Sequence, residues 1–330
     1  MSGAAFWLAA LCASVLVVAA MTVPISALVW WAGWRRRCPT TALMSPSAVP
    51  SADGPFLVYL SGIGDISGDY STRYEDCFLA ALAARLPGLV LISDVFPYSI
   101  ENLGMTSQHH MGRFWGWINT ERLGRGPLKR VGLLIDLRNI LHTAVAADHR
   151  YGPIYGYDSA EMIILGLLRH GYRLGSGAPV SLLGYSGGAQ IALVSTDYLQ
   201  ATLRAPVQVI SLGGLMNPSP ALDQITALTH FYGTHDMVQR LSKVLFPGRW
   251  PLRTATRWAR GLASGTIRMI CLGPMDHAGP GSYLDDGAYL PDGRSFMQIS
   301  ANAVADQIRW LSGTVRVEQR SAALPQQTNH

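Results

Sequence analysis

The chain has 330 residues, of which 49% are hydrophobic and 14% are charged, and its formal net charge at pH 7 is +5. That length accommodates one sizeable globular domain and an appendage, while the low charge and a mean hydropathy of +0.19 indicate that part of the chain lies in lipid. The four cysteines have no Cys-x-x-Cys spacing, which argues against a zinc site and against a disulfide framework.

An uncharged apolar segment comes first. Residues 3–34 contain no Asp, Glu, Lys or Arg, and Arg35–Arg37 follows directly. About 20 apolar residues cross a bilayer core, and tryptophans near both ends of the segment are typical of interfacial belts. Residues 1–37 are therefore predicted to form one transmembrane anchor. A cleaved signal peptide fits less well, because the start has no Lys or Arg and the apolar run is too long. The positive-inside rule predicts that the basic cluster, and with it the body of the protein, is cytoplasmic.

Residues 38–55 are rich in Pro, Ser and Ala and have no apolar period. This composition predicts a flexible tether of about 18 residues, with a mean end-to-end distance of roughly 20–25 Å. Residues 313–330 are predicted to be a disordered tail. Residues 56–312 remain as the folded domain.

Short apolar runs within this domain predict strands, and segments of helical spacing alternate with them. The strands are predicted at Phe56–Leu60, Leu89–Ser93, Val180–Gly184, Val207–Leu212, Leu228–Tyr232 and Thr266–Leu272. The helices are predicted at Thr72–Leu86, Val131–Ala147, Ser159–His170, Ala189–Leu203 and Ser295–Leu311. This alternation is typical of an α/β fold with a mostly parallel sheet and helices on both faces. Reactive groups in such folds gather at the carboxyl ends of the strands.

A serine lies between glycines in GYSGG, at the end of the third predicted strand. The pattern G-x-S-x-G alone is weak evidence, but a strand before it and a helix after it are the context that a nucleophile elbow requires. Gly184 and Gly188 allow the strand and the helix to approach without a clashing Cβ, and the helix N-terminus favours developing negative charge. Ser186 is therefore the candidate nucleophile; the alternative is an ordinary loop serine.

A serine nucleophile needs a base, and the base needs a carboxylate to orient it. Asp236 follows the strand LTHFY, and His277 follows the strand TIRMICL. The order serine, acid, histidine is the one that this architecture requires. The alternative acids are Asp276, Asp285 and Asp286, and the alternative base is His235, which is more simply a turn residue.

With these motifs the sequence resembles the α/β-hydrolase superfamily over residues 55–312, through GYSGG, YGTHDMV and GPMDHAG. The resemblance implies that Ser186 is the nucleophile and that His277 is the general base and acid. It implies Asp236 as the acid that orients the histidine.

The resemblance also implies an oxyanion hole. One donor would be the Gly187 N–H, and the second an N–H of the turn after the first strand, with Ile63 preferred and Gly62 next. Many members of the family have His-Gly in this turn, where this chain has Ser61-Gly62. The first two strands usual in the family are not evident, which implies a minimal sheet.

The same turn carries a competing motif, because GIGDISG follows a strand and precedes a helix. With Asp94 after the next strand, it imitates a dinucleotide-binding fingerprint and its ribose-binding acid. Against this hypothesis, the predicted loop before the helix at Thr72 is long. It also leaves the ordered serine, acid and histidine unexplained.

Two segments beyond strand ends, residues 96–130 and 237–265, are predicted to be cap-like insertions. Both interleave basic and aromatic residues, and residues 237–275 contain no Asp or Glu. This composition suits an anionic membrane surface contacted through residues 240–268. It also suits RNA or single-stranded DNA, but no nucleic-acid-binding signature is present and no such partner is predicted. A solvated positive face is the remaining alternative.

Together these features predict a membrane-anchored serine hydrolase that cleaves an ester or thioester, with a lipid-like acyl compound as the favoured substrate. No metal or organic cofactor is expected, and acyl transfer to another acceptor would use the same groups. One alternative is a catalytically inactive membrane scaffold that keeps the fold. The other is a nucleotide-binding oxidoreductase that uses the GIGDISG loop.

Overall fold

The computed structural model describes residues 54–323 apart from 70, 100–101, 108–111 and 125, together with six isolated positions between residues 3 and 18. Six strands form one sheet in the order β2-β1-β3-β4-β5-β6, and every neighbouring pair is parallel. The strands are β1 Phe56–Leu60, β2 Val90–Ile92, β3 Val180–Tyr185, β4 Val207–Leu212, β5 Ala227–Gly233 and β6 Ile267–Gly273.

Helices cover both faces of this sheet. They are α1 Arg73–Arg85, α2 Gly112–Leu123, α3 Leu133–Ala147, α4 Gly152–Arg169, α5 Gly188–Leu203, α6 Met237–Leu245, α7 Arg257–Ser264 and α8 Phe296–Ala323. Successive residues of a strand point to opposite faces, and in β1 Val58 joins a hydrophobic cluster with α3, α4 and α5 whereas Leu57 joins one with α1 and α8. The predicted α/β fold, with a mostly parallel sheet between two helical layers, is confirmed.

The predicted strands all occur, each within one residue of its predicted ends. A capping box begins α1, because Thr72 and Glu75 exchange hydrogen bonds. The start of α4 was predicted wrongly. The helix begins at Gly152, with Pro153 in its first turn, and Ser159, predicted as its first residue, is a buried residue of its interior.

The last helix is longer than predicted. It was expected to end at Leu311, but α8 continues through Gly313 to Ala323, so the first part of the predicted disordered tail is helical. A glycine inside a helix costs only about 1 kcal/mol relative to alanine, which is too little to end a helix by itself. Residues 324–330 lie outside the described residues.

The predicted insertions contain helices that were not predicted: α2 in residues 96–130, and α6 and α7 in residues 237–265. Within the described part of the chain, no helix has the length and apolar character to cross a bilayer. Most of the predicted anchor and tether lies outside the described residues. The exceptions are Gly54 and Pro55 of the tether, and six positions before residue 19, and these six positions are helical.

Candidate active site

Three residues predicted to act together lie at one edge of the sheet, where its parallel strands end. Ser186 follows β3, Asp236 lies between β5 and α6, and His277 lies beyond β6. The strands β3, β4, β5 and β6 are consecutive in the sheet. The three loops therefore meet above a single edge, although the residues are far apart in the chain.

Ser186 lies on a strained turn between β3 and α5. Its φ of 52° is in the left-handed region, a conformation that costs a non-glycine residue roughly 1–3 kcal/mol and that clusters at functional sites. A Cβ on Gly184 would lie 2.3 Å from the Cα of Ala189, and one on Gly188 would lie 2.3 Å from the Leu60 carbonyl oxygen. The prediction that these two positions require glycine for close approach is confirmed.

Ser186, His277 and Asp236 form a hydrogen-bonded series. The Oγ of Ser186 lies 2.8 Å from Nε2 of His277, and Nδ1 of His277 lies 3.1 and 3.0 Å from Oδ1 and Oδ2 of Asp236. The Asp236 side chain is fully buried, whereas 18% of the His277 side chain is exposed. A carboxylate can only accept, so Nδ1 carries the hydrogen and Nε2 remains free to accept the serine proton.

Further donors hold the Asp236 carboxylate. The Tyr283 hydroxyl donates to Oδ2 at 2.6 Å, and the Gln239 N–H donates to Oδ1 at 2.8 Å as the N-cap bond of α6. Burial raises the pKa of Asp236, but the hydrogen bond and charge of His277, with the bonds from Gln239 and Tyr283, outweigh it and hold the pKa below its ordinary value. The group is therefore ionised at neutral pH.

Two tyrosines fix the surrounding loops. The Tyr185 hydroxyl donates to the His277 carbonyl oxygen at 2.6 Å, and the two rings stack with centroids 6.0 Å apart. Tyr283 accepts the Gly233 N–H at 2.7 Å while it donates to Asp236. The sequence gave no signal for either, because Tyr185 occupies the variable position of G-x-S-x-G and Tyr283 lies in a loop without a recognisable pattern.

The predicted oxyanion residues lie beside Ser186. A Cβ on Gly187 would be 2.9 Å from Cγ2 of Ile63, and one on Gly62 would be 3.8 Å from Cβ of Ser186. Within the described residues, neither the Gly187 N–H nor the Ile63 N–H has a hydrogen-bond acceptor. The Gly62 carbonyl accepts the Asp65 N–H at 3.3 Å, so the Ile63 N–H, trans to it in the same peptide plane, points the other way.

Side chains from two helices donate hydrogen bonds to the loop after β1, which contains Gly62 and Ile63. Asn139 of α3 is fully buried, and its Nδ2 donates to the carbonyl oxygens of Ile63 and Asp65 at 2.7 and 2.8 Å. Arg122 of α2 donates to the Gly64 carbonyl oxygen at 2.5 Å. Three successive carbonyls thus have donors, which fixes the peptide orientations of the loop. Asn139 was missed because helical spacing in α3 identifies only its apolar face.

The alternative acids do not reach the histidine. Asp285 accepts two backbone N–H groups of its own loop, at 2.6 and 2.8 Å. Three other candidates are exposed: Asp276, Asp286 and His235. In the part of the chain that is described, no group of three or more His, Cys, Asp or Glu side chains is placed to hold a metal ion.

The GIGDISG loop lacks the geometry of a dinucleotide-binding turn. The third glycine of such a fingerprint lies where the helix packs on the strand, whereas α1 begins only at Arg73, well beyond Gly68. A Cβ on Gly68 would lie 2.7 Å from the Asp94 carbonyl oxygen, so glycine there permits contact with the chain after β2. The Asp94 carboxylate pairs with Arg169 at 2.9 Å.

No protein-family model and no curated protein matches this chain. Its function is therefore inferred from its own side chains and loops. At the carboxyl edge of the sheet, a serine, a histidine and a buried carboxylate lie in contact with one another. Beside them are two backbone N–H groups that have no acceptor among the described residues.

Proposed function

We propose that this chain is a serine hydrolase of the α/β-hydrolase type, which cleaves an ester or thioester through an acyl-enzyme. The observation that carries the proposal is the series from Ser186 Oγ to His277 Nε2, 2.8 Å, and from His277 Nδ1 to Asp236 Oδ2, 3.0 Å. A nucleophile in contact with a base, and a base oriented by an acid, is the arrangement that nucleophilic catalysis needs. The strained serine turn at the end of a parallel strand gives further support.

The first half-reaction forms the acyl-enzyme. As Oγ of Ser186 bonds to the substrate carbonyl carbon, Nε2 of His277 takes the hydroxyl proton and the carbonyl electron pair moves onto its oxygen. Asp236 stabilises the imidazolium that results. The imidazolium then gives this proton to the departing alcohol or thiol as the C–O or C–S bond breaks, and the acyl group remains on Oγ.

The oxyanion of this step needs fixed donors, which the Gly187 and Ile63 N–H groups would supply, with Gly62 as a further donor. The clamp on the loop by Asn139 and Arg122 supports this assignment, because donors held in place before the reaction need no reorganisation during it. In the second half-reaction His277 activates a water molecule, which releases the acid. Another acceptor in place of water would give acyl transfer.

The proposal includes the membrane anchor at residues 1–37 with the body on the cytoplasmic side, supported by the uncharged apolar segment and the three arginines after it. An anchored active site meets compounds that partition into the bilayer at high local concentration. Lipid-like esters and thioesters are therefore the favoured substrates.

A fluorophosphonate probe, which reacts with activated serines, tests the proposal on the full chain. We expect labelling of the wild type, none of Ser186→Ala, and undiminished labelling of Ser195→Ala, since Ser195 is a buried serine of α5 whose hydroxyl only donates within the helix. No labelling of a folded wild-type chain would overturn the proposal in favour of an inactive scaffold. Tight binding of NAD or NADP would instead support the oxidoreductase.

A further inference from the structure

Helix α6 has an inverted distribution of side chains. Its buried residues are polar, Gln239 and Ser242. Its exposed residues include every apolar side chain it has: Met237, Val238, Leu241, Val244 and Leu245. A surface helix of a globular protein normally turns its apolar face inward, so the outward face of α6 is suited to a non-aqueous neighbour.

The inversion is not a packing fault, because the inward polar groups have partners. The Nε2 of Gln239 lies 3.2 Å from Nε2 of His230, and Oγ of Ser242 accepts a hydrogen bond from Nη1 of Arg249 at 2.6 Å. The Arg249 guanidinium also lies over the ring of Trp258, 4.1 Å from its centroid. These contacts hold α6 with its apolar face outward.

The exposed apolar residues of α6 form one continuous strip. At roughly 100° per residue, they occupy an arc of about 120°; Arg240 lies about 40° beyond one edge of it, and Lys243 lies about 60° further round. The segment directly after the helix adds two more exposed apolar side chains, since Trp250 is 43% and Leu252 94% exposed. We call the strip and these two side chains together the α6 surface: Met237, Val238, Leu241, Val244, Leu245, Trp250 and Leu252.

The charge around the α6 surface indicates what covers it. Residues 237–275 contain no Asp or Glu, and Arg240, Lys243 and Arg253 have no carboxylate partner among the described residues. An apolar helical face flanked by lysine and arginine matches the layered structure of a bilayer surface, with acyl chains below and anionic headgroups above.

We propose that the α6 surface docks on the interfacial layer of a bilayer that contains anionic lipid. The inference deepens the proposed function and rests on it, because Asp236, the N-cap residue of α6, is also the carboxylate that contacts His277. Docking would therefore bring the edge of the sheet that carries Ser186 to the leaflet that holds lipid-like substrates. The predicted tether of about 18 residues, with an expected mean reach of roughly 20–25 Å, would allow this contact beside the predicted anchor.

Amide hydrogen exchange of the full chain in lipid nanodiscs tests this. We expect segment 237–252 to exchange at least about threefold more slowly in phosphatidylcholine with about 30% phosphatidylserine than in phosphatidylcholine alone. The double variant Leu241→Asp, Val244→Asp should lose this lipid-dependent difference; both side chains are exposed, so the fold should persist. The matched control is Ile140→Asp, an exposed apolar position of α3, which should keep the difference.

Equal exchange in the two nanodiscs would overturn the proposal, as would protection that depends on protein concentration and not on lipid, because a second copy would then cover the surface. Fluorophosphonate labelling of the same samples separates the two proposals. A labelled chain without lipid-dependent protection refutes docking alone. A protected but unlabelled chain supports docking and refutes the hydrolase.

Discussion

Two buried carboxyl groups near the candidate site have opposite environments. Asp236 accepts hydrogen bonds from three partners, which outweigh the effect of burial and keep its pKa low. For Asp65, burial and the nearby Glu75 carboxylate raise the pKa from 3.8 to about 8, against the opposing effects of Ser61 and Arg122. At neutral pH the acid behind His277 is therefore ionised, while Asp65 in the GIGDISG loop is mostly protonated. A neutral Asp65 would add no negative charge beside the oxyanion of the proposed reaction.

Ionisation of Asp65 is expected to lower the stability of the wild type relative to Asp65→Asn as the pH rises from about 4 to about 8. The buried His142 and His230, whose pKa values are lowered by burial, have the opposite effect but are common to both chains. Folding raises the pKa of Asp65, so between the ordinary and the raised values the unfolded chain is ionised while the folded chain keeps the proton. The unfolded state then binds fewer protons, and this group lowers stability by at most about 1.4 kcal/mol per pH unit. Denaturant unfolding of the full chain in one detergent, over this pH range, measures the effect.

The control for this measurement is Asp69→Asn, an exposed carboxyl of the same loop, which should follow the wild type at every pH. The difference between Asp65→Asn and the wild type should grow up to about pH 8 and be constant above it. Parallel curves for the two chains would contradict the raised pKa of Asp65.

The turn between β3 and α5 depends on glycine for a steric reason, which gives a prediction with a matched control. A Cβ on Gly188 would lie 2.3 Å from the Leu60 carbonyl oxygen and 2.6 Å from that of Ser61, and backbone atoms at this distance must move. We expect Gly188→Ala to lower the free energy of unfolding by about 2 kcal/mol or more and to abolish fluorophosphonate labelling, because β1 and α5 can no longer approach.

The control is Gly116→Ala, in the interior of α2, where an added Cβ meets nothing within 4 Å. This change should raise the free energy of unfolding by roughly 0.5–1 kcal/mol, since alanine loses less backbone entropy in a helix. Chemical denaturation of the three chains measures both shifts. Equal effects at the two positions would show that close approach at the turn is not what requires Gly188.

The elements that could be predicted from the sequence are those whose local pattern decides their structure. The strands are near-continuous apolar runs, as strands buried on both faces must be, and the start of α1 has its own capping residues. The apolar residues of α6 do have helical spacing in the sequence, but the outward direction of that face could not be predicted, because it depends on contacts of Gln239 and Ser242 with other segments. Asn139, Tyr185 and Tyr283 were missed because their roles come from contacts between distant segments.

The whole molecule places its candidate chemistry by topology. The parallel arrangement brings the turn after β3 and the loops after β5 and β6 to one edge, so residues separated by up to 91 positions become neighbours. Helix α6 begins at the same edge of the sheet, and its apolar face is exposed. A bilayer that met this face would lie beside the candidate site, which makes the orientation of the predicted anchor a decisive property of the chain.

That orientation can be tested by translating the full chain in the presence of sealed vesicles whose cytoplasmic face is outward. The three arginines at Arg35–Arg37 should keep the body outside, so an added protease should digest it without detergent, while the chain resists extraction by carbonate. Replacing all three by glutamine should leave part of the chains protected, whereas replacing them by lysine, which keeps the charge, should not. A product shortened by roughly 30 residues would instead identify a cleaved signal peptide, and full protection of the wild-type body would place the active site on the opposite side of the membrane.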